Sequence, residues 1–284
     1  MTLARLHAKG LSFRQPRSRP SRRIPILSFH RVSRIRPDHW MTVTPEAFEN
    51  VVRSVQSRYR VVSLAEVDRL LGAGNDVEPT VAVAFDDTYG CNHLFAVPVL
   101  RKLKIPATFF VASGFVDSAR PFPHDVVAGF SDLPNFTSAQ LRDMADDALF
   151  EIGSHSVTHI DFATPPSTAT YQHELGESKR ALAALTGQPI DRFAVPFGGR
   201  PQCTPELIAA AKEAGYRRTY SGFGGSNLIS DGGQVAFVLN RLCPERHSPE
   251  YVLACLGGYE GRRSFTLRRP REAPLSADFQ TSGF

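Results

Sequence analysis

This 284-residue sequence predicts an α/β fold in which parallel strands and helices alternate around a barrel. Short β-branched or aromatic runs alternate with longer helical patterns, as βα units do. Eight such runs are present, enough strands to close a barrel. Several of them end abruptly in polar or turn-forming residues, and parallel α/β architectures collect their chemistry at strand carboxyl ends. At 42% apolar the chain can bury one large core, so a single domain is the simplest organisation and two the alternative.

The strand runs are IPILSF (24–29), YRVVSL (59–64), TVAVAF (80–85), ATFFVA (107–112), FEIGS (150–154), RFAVP (192–196), YRRTYS (216–221) and AFVLNR (236–241). Helices fill the gaps and announce their starts. Thr44-Pro45-Glu46 and Thr204-Pro205-Glu206 set a cap before an N1 proline, while SLAE (63–66) and TSAQ (137–140) match capping boxes. A helix over about 169–186 stops at Gly187 with Pro189 beyond, and the one after Pro205 closes near Gly215. Residues 113–136 lack a clear period and read as an irregular loop near the barrel mouth. No internal repeat is present.

The formal charge of +5 is not a nucleic-acid signal once it is divided along the chain. Residues 1–23 carry seven Lys or Arg and no acid, and residues 262–284 a net +3, which leaves −5 for the body between them. The expected organisation is therefore a basic disordered tail over 1–23, a catalytic domain over 24–261 and a basic tail over 262–284. The leading segment lacks the apolar stretch of a secretory signal, and no run of 18 apolar residues offers a membrane span. Cys91, Cys203, Cys243 and Cys255 show neither a Cys-x-x-Cys pair nor short regular spacing, which argues against a disulfide framework or thiolate zinc site. A cytoplasmic, reducing location is expected. The Arg-rich, acid-free start also matches an organellar transit peptide, and weak contact with an anionic surface is a further option for such tails.

In VAVAFDDTYGCNH (81–93) an apolar strand stops on two adjacent carboxylates, Asp86 and Asp87, which repel and are costly to bury unless paired or metal-bound. His30 follows the first strand, His155 and His159 follow FEIGS, Pro196-Phe197-Gly198-Gly199 follow RFAV, and Arg241 closes the last strand. His-x-x-x-His with one carboxylate makes the three-residue ligand set of a catalytic metal that keeps an open position. The other aspartate is then placed to take a proton from water.

These residues carry a resemblance over 24 to about 256 to the polysaccharide deacetylases of the nodulation-type chitooligosaccharide deacetylase superfamily, which are similar to carbohydrate esterase family 4. AFDDTYG resembles the family's Thr-Phe-Asp-Asp-Gly motif, HSVTH its His-Ser/Thr-x-x-His motif and FAVPFG its Arg-x-Pro-Tyr-Gly motif. PILSFHRV is similar to the first strand of the branch acting on poly-N-acetylglucosamine and related exopolysaccharides, and PVLRKLKIPATFFV matches the connecting helix and next strand. The resemblance implies a distorted (β/α)7 barrel that removes N-acetyl groups from amino sugars of a poly- or oligosaccharide. It implies one divalent metal, zinc first, with cobalt, nickel or iron fitting the same donors, held by Asp87, His155 and His159. Asp86 becomes the base, with a backbone N–H near Thr88 or Tyr89 facing the developing oxyanion. His30 becomes the acid: expulsion of an amine needs a proton donor, and the family's usual late Leu-x-His motif is missing after residue 250.

Thr88 replaces the family's glycine, implying a strained or reshaped turn, and Ala194 stands where many members have the arginine that orients the base. Arg241 or Arg200 is then expected to supply that charge, with Arg241 assigned to the catalytic group. Tyr89, Pro196, Phe197 and Gly198 are expected to meet the sugar. His93 and His173 read as ordinary helix residues, His124 and Asp125 as solvated loop residues or groove lining, and His247 as part of a helix cap region. O-acetyl ester hydrolysis, amino-sugar deformylation and a catalytically weakened glycan binder are the alternatives. Oligomeric state leaves no mark on the sequence.

Overall fold

A computed structural model describes residues 21–129, 133–244 and 247–258. The strands in chain order are β1 Arg23–Ile24, β2 Ile26–Phe29, β3 Arg31–Val32, β4 Thr42–Val43, β5 Arg60–Val62, β6 Thr80–Phe85, β7 Ala107–Val111, β8 Phe150–Ser154, β9 Arg192–Ala194, β10 Arg218–Tyr220, β11 Asn227–Leu228 and β12 Val238–Leu239. Every one of the eight expected runs contains a strand. Seven of them pair in parallel in the order β12-β10-β9-β8-β7-β6-β2. The ends of that path meet where Ser28 N–H donates to Leu242 O at 2.7 Å and Leu242 N–H donates to Ile26 O at 2.8 Å. The eighth, β5, pairs with the first half of β6 outside the path. The result is a distorted (β/α)7 barrel, with seven strands in the ring and one doubled onto its side.

β6 shows why the sequence folds this way. All six of its residues are buried, as expected for a parallel strand covered on both faces. Val81, Val83 and Phe85 join the cluster that includes Phe48 and Val97 of the surrounding helices, whereas Ala82 and Ala84 join Phe110, Ala194, Tyr220 and Leu239 of other strands. This alternation is the period of two that separates helix-facing from barrel-facing positions.

The helix starts follow the capping chemistry. Thr44, Ser63 and Thr204 each accept a backbone N–H of the first turn, and Thr137 with Gln140 forms a reciprocal capping box. The expected 169–186 helix runs from Thr168 to Thr186 but contains a π-helical turn, Gln172–Glu177, and ends on left-handed Gly187. Residues 113–136 are less irregular than expected. A 3₁₀ turn, Ser113–Phe115, and a short helix, Pro123–Val127, lie within them.

The body also begins earlier than charge predicts. Arg23 pairs with Leu228 in a β1–β11 ladder, and the Arg22 guanidinium bonds the Ile229 carbonyl at 3.0 Å and sits 2.7 Å from Asp231. A long-range backbone pairing decides that boundary, and composition cannot register one. The rest of the expected N-terminal tail, residues 1–20, and the C-terminal tail, residues 262–284, lie outside the described residues. All four cysteines are free, and among the described residues no helix is long and apolar enough to cross a membrane.

Phe85 anchors the strand that ends at Asp86: its ring stacks on Phe109 at 4.7 Å and contacts Phe29 and Phe48 at 5.6 and 5.7 Å. Phe85→Ala should therefore cost about 3–5 kcal/mol of stability, measured as the shift in a denaturant midpoint. A loss below about 1 kcal/mol would mean that the aromatic cluster does not hold β6.

Candidate active site

Past Phe85 the two carboxylates part company. Asp86 continues the ladder through its N–H to Phe29 O, whereas Asp87 adopts a left-handed backbone, φ 69°, that non-glycine residues seldom take. Asp86 meets Arg241 in a two-bond fork, Nη1 to Oδ1 at 2.5 Å and Nη2 to Oδ2 at 2.9 Å. Arg241 is itself held by Nε–H to Ser221 O at 3.0 Å and by the Phe110 ring, 5.1 Å from its guanidinium carbon. Burial works to raise the Asp86 pKa, but the Arg241 guanidinium, with His30, outweighs it and holds the carboxyl below its ordinary range. The arginine that Ala194 cannot provide thus arrives from just beyond β12, and it is Arg241 rather than Arg200.

Asp87 Oδ1 lies 3.2 Å from His159 Nε2 and 3.6 Å from His155 Nε2. All three residues are buried, and one donor atom from each falls within 4.8 Å of the others. The backbone carbonyl of Ala194 lies 2.9 Å from His155 Nδ1, which fixes the proton there and leaves Nε2 as a lone-pair donor toward Asp87. Burial, aided by His159 and Arg241, pushes the His155 pKa down to about 4 against the pull of both aspartates, so the imidazole is neutral. Asp87 Oδ2 is buried with no hydrogen-bond partner. A neutral imidazole, a second histidine and an unsatisfied carboxylate at this spacing fit a divalent cation, which would discharge that unpaired charge.

The HSVTH loop is bracketed from behind. His159 N–H donates to Ser156 Oγ at 3.0 Å, and the N–H groups of Val157 and Thr158 both donate to Glu174 Oε2 at 2.9 Å. Thr158 Oγ1 donates to Glu174 Oε1 at 2.7 Å. Glu174 sits on the π-helical turn, a feature common at functional sites. The sequence reading missed Glu174, because a charged residue in TYQHELGESKR looks like part of a solvated helix face.

Asp86, Asp87, His155, His159 and Arg241 line an open cavity of about 610 Å³, shared with His30, Trp40, Phe197, Gly198 and Cys243. Trp40 and Phe197 remain 38% and 56% exposed at its wall. Gly198, at φ 60°, lies so close to Gly222 that a Cβ would fall 2.6 Å from its nitrogen. The His30 ring sits 5.3 Å from Trp40, with Nδ1 3.7 Å from Cys243 Sγ. Burial would lower the His30 pKa, but the adjacent Cys243 sulfur, Asp87 and Asp86 prevail and raise it to about 9.

Several expectations need correction. Tyr89 cannot stack on a sugar: it is fully buried, and its hydroxyl donates to Asp125 Oδ2 at 2.6 Å. Pro196 is buried behind the wall and does not line the cavity. Thr88 and Tyr89 are fully buried and do not line the cavity. Thr88 does not carry the positive φ of the turn; its hydroxyl donates to Ala112 O at 3.1 Å and accepts from Ala112 N–H at 3.0 Å, joining β6 to β7. Asp125 is no solvated loop residue but is buried against Arg31 at 2.8 Å, and His124 lines the cavity. His247 stacks on Phe29 at 5.8 Å and lines a separate, smaller recess. His93 pairs with Asp143 on the outer helices, as an ordinary helix residue can.

The Asp86–Arg241 pair makes a measurable prediction. Arg241→Ala strands a buried carboxylate and should cost roughly 3–5 kcal/mol. Asp86 is depressed in the folded protein, so the pair's contribution is complete above the unfolded carboxyl pKa of about 3.9 and is lost as pH falls through the folded value. Without Arg241, burial raises the Asp86 pKa, so the stability gap to wild type should narrow between pH 7 and about pH 4. Urea melts of both proteins at each pH measure it, and an unchanged gap would remove the pair as its cause.

The chain is similar to known proteins over much of its length. The YxkH protein of Bacillus subtilis (strain 168) is 24% identical over 201 residues, 69% of this chain and 63% of that one. The poly-beta-1,6-N-acetyl-D-glucosamine N-deacetylase of Staphylococcus aureus (strain MSSA476) is 23% identical over 188 residues, 63% of this chain and 61% of that one. The chain thus spans just under two thirds of the length of these curated relatives. The structure of IcaB from Ammonifex degensii superposes with a TM-score of 0.68 at 20% identity, covering 84% of this chain and 98% of that one, which establishes the shared fold. A polysaccharide deacetylase family model matches residues 73–219, more than half of the chain and the part that carries both aspartates and both histidines, and by that match the chain belongs to the polysaccharide deacetylase family.

Proposed function

We propose that this protein is a metal-dependent N-deacetylase acting on the N-acetylated amino sugars of a poly- or oligosaccharide. The observation that carries this is the buried Asp87–His155–His159 cluster standing beside an arginine-clamped Asp86 on the wall of one open cavity. Asp87, His155 and His159 would hold a divalent ion, with zinc the first choice and cobalt, nickel or iron suited to the same donors. When bound, such an ion supplies Lewis-acid activation of an amide carbonyl and of water.

The protein's own residues supply the rest. Asp86, kept ionised by Arg241, accepts the proton of the attacking water through a lone pair that the fork leaves unused. His30, protonated through neutral pH, delivers a proton to the departing nitrogen, without which an amine is a poor leaving group. Trp40 and Phe197 offer aromatic faces for a sugar ring. The relative from S. aureus makes β-1,6-linked poly-N-acetylglucosamine the first glycan to test.

Incubating the zinc-loaded protein with a panel of acetylated oligosaccharides should release acetate and free amine in equal amounts. Acetate without amine would indicate an esterase, and formate a deformylase. Asp87→Ala and His155→Ala should each lose bound metal as well as turnover, whereas Asp86→Asn should keep the metal while kcat falls by roughly 10² or more. Full metal occupancy in the alanine variants would refute the ligand assignment.

His30 has its own signature. A group raised to about 9 is protonated below that pH, so kcat/KM should decline on an alkaline limb as His30 loses its proton. A cation beside Asp87 offsets part of the carboxylate's pull, which places the limb of the loaded enzyme below about 9. His30→Ala should retain the metal, erase that limb and lower amide kcat by roughly 10² to 10⁴. An ester substrate, whose leaving group demands less protonation, should lose much less. Equal losses on amide and ester would move the acid elsewhere.

A further inference from the structure

A histidine that serves as an acid must have its other nitrogen held, and the residue that makes that contact here is used by neither the motifs nor the proposed mechanism. Among the described residues the only hydrogen-bond partner of the His30 ring is Cys243 Sγ, 3.7 Å from Nδ1. The usual partner of such a nitrogen is a carboxylate or a backbone carbonyl. In this chain a sulfur takes its place.

The contact is built into the fold. Leu27 pairs with Leu242 where the barrel closes, and Ser28 N–H donates to Leu242 O at 2.7 Å, so the half-buried Cys243 is carried alongside the end of β2. Asn92, fully buried on the helix that follows the two aspartates, donates Nδ2–H to His30 O at 2.7 Å and accepts Val32 N–H on Oδ1 at 2.8 Å. The Trp40 ring meets the imidazole edge-on at 5.3 Å. Backbone, ring face and Nδ1 of His30 are thus each met by a different residue.

An acid histidine carries a proton on each nitrogen, so Nδ1–H is the donor in this contact and the sulfur the acceptor, a role open to cysteine. Nε2, across the ring, keeps the second proton for the cavity that His30 lines. We propose that Cys243 is the positioning residue of His30: it holds the Nδ1 proton and thereby commits Nε2–H to the departing nitrogen. The inference rests on the reading of His30 as the acid and adds the residue that aims it.

Two measurements test it, one of them without turnover. In metal-free protein labelled with 15N-histidine, above about pH 9, where the ring has lost its second proton, NMR should find the remaining one on Nδ1. Cys243→Ala should release it toward the Nε2–H form that an unheld imidazole favours, and Cys243→Ser, which restores an acceptor, should return it to Nδ1. His30→Gln identifies the signal. With zinc-loaded enzyme and β-1,6-linked N-acetylglucosamine oligomers, Cys243→Ala should lower kcat by roughly 10- to 100-fold, part of what a general acid contributes, with KM little changed. Cys243→Ser should recover most of that loss. Hydrolysis of 4-nitrophenyl acetate, whose leaving group needs no proton from His30, should fall much less. In a His30→Ala background Cys243→Ala should add little, because both changes act through one ring. An unchanged proton position in Cys243→Ala overturns the proposal. So does an unchanged amide kcat, or an equal loss on amide and ester, which would mark a purely structural cysteine. If wild type itself turns over no acetylated glycan, the functional reading falls and this inference with it, whatever the NMR shows.

Discussion

Everything in the site depends on separating the charges of Asp86 and Asp87, two carboxylates on consecutive residues at the end of a fully buried strand. Each needs its own compensation, because a buried carboxylate left unpaired would neutralise rather than stay charged. Strand geometry already directs successive side chains to opposite sides, and the left-handed backbone at Asp87 turns its carboxylate toward the histidines. Asp86 is left facing Arg241, which arrives from the far end of the chain. Leu242, the next residue, makes the two backbone bonds to β2 that close the ring. Barrel closure and the clamp on Asp86 are therefore one structural event, and a register error at the last strand would open the barrel and strand the carboxylate together.

The same economy governs backbone strain. Of the non-glycine residues with positive φ, Asp87, Ser156, His159 and Phe197 all belong to the three motif segments that form the cavity wall. Glycine would relieve the strain at such positions, but two of them are the proposed metal donors and a third presents an aromatic face, so the side chains cannot be given up. Strain of this kind persists only where the surroundings over-determine it. Around Ser156 and His159 the over-determination is visible as Ser156 Oγ, the Glu174 carboxylate and the π-helical turn that places Glu174 beneath the loop.

Much of this was legible in the sequence, for physical reasons that also mark the limit. A strand buried on both faces is nearly all apolar, so TVAVAF could be bounded to the residue, and FEIGS, buried except at Glu151, likewise. Residues that must meet at strand ends stand next to apolar runs, which exposed Asp86, Asp87, His155 and His159. What stayed hidden was set by partners distant in sequence. Asp125 looks solvated until Arg31, 94 positions away, is seen to bury with it. Tyr89 looks like a mouth residue until its hydroxyl is found spent on Asp125, and Arg23 looks like tail until it pairs with Leu228. Arg241 was one of two candidates, because the sequence shows that Asp86 needs a cation but not which strand end comes near enough to provide it.

The departures from the family motifs show how such a site tolerates substitution. Thr88, in place of glycine, does not need left-handed backbone, because Asp87 takes it one residue earlier. Its hydroxyl instead pins the turn to Ala112 at the end of β7. Ala194, in place of arginine, keeps the one group that any residue there would supply, the carbonyl that fixes the His155 tautomer. The guanidinium lost at 194 returns at 241 with a two-bond fork, a geometry lysine cannot reproduce. In each case the chemistry depends on where an atom is delivered rather than on which residue delivers it, and the closed ring of strands is what brings atoms from such distant positions to one mouth.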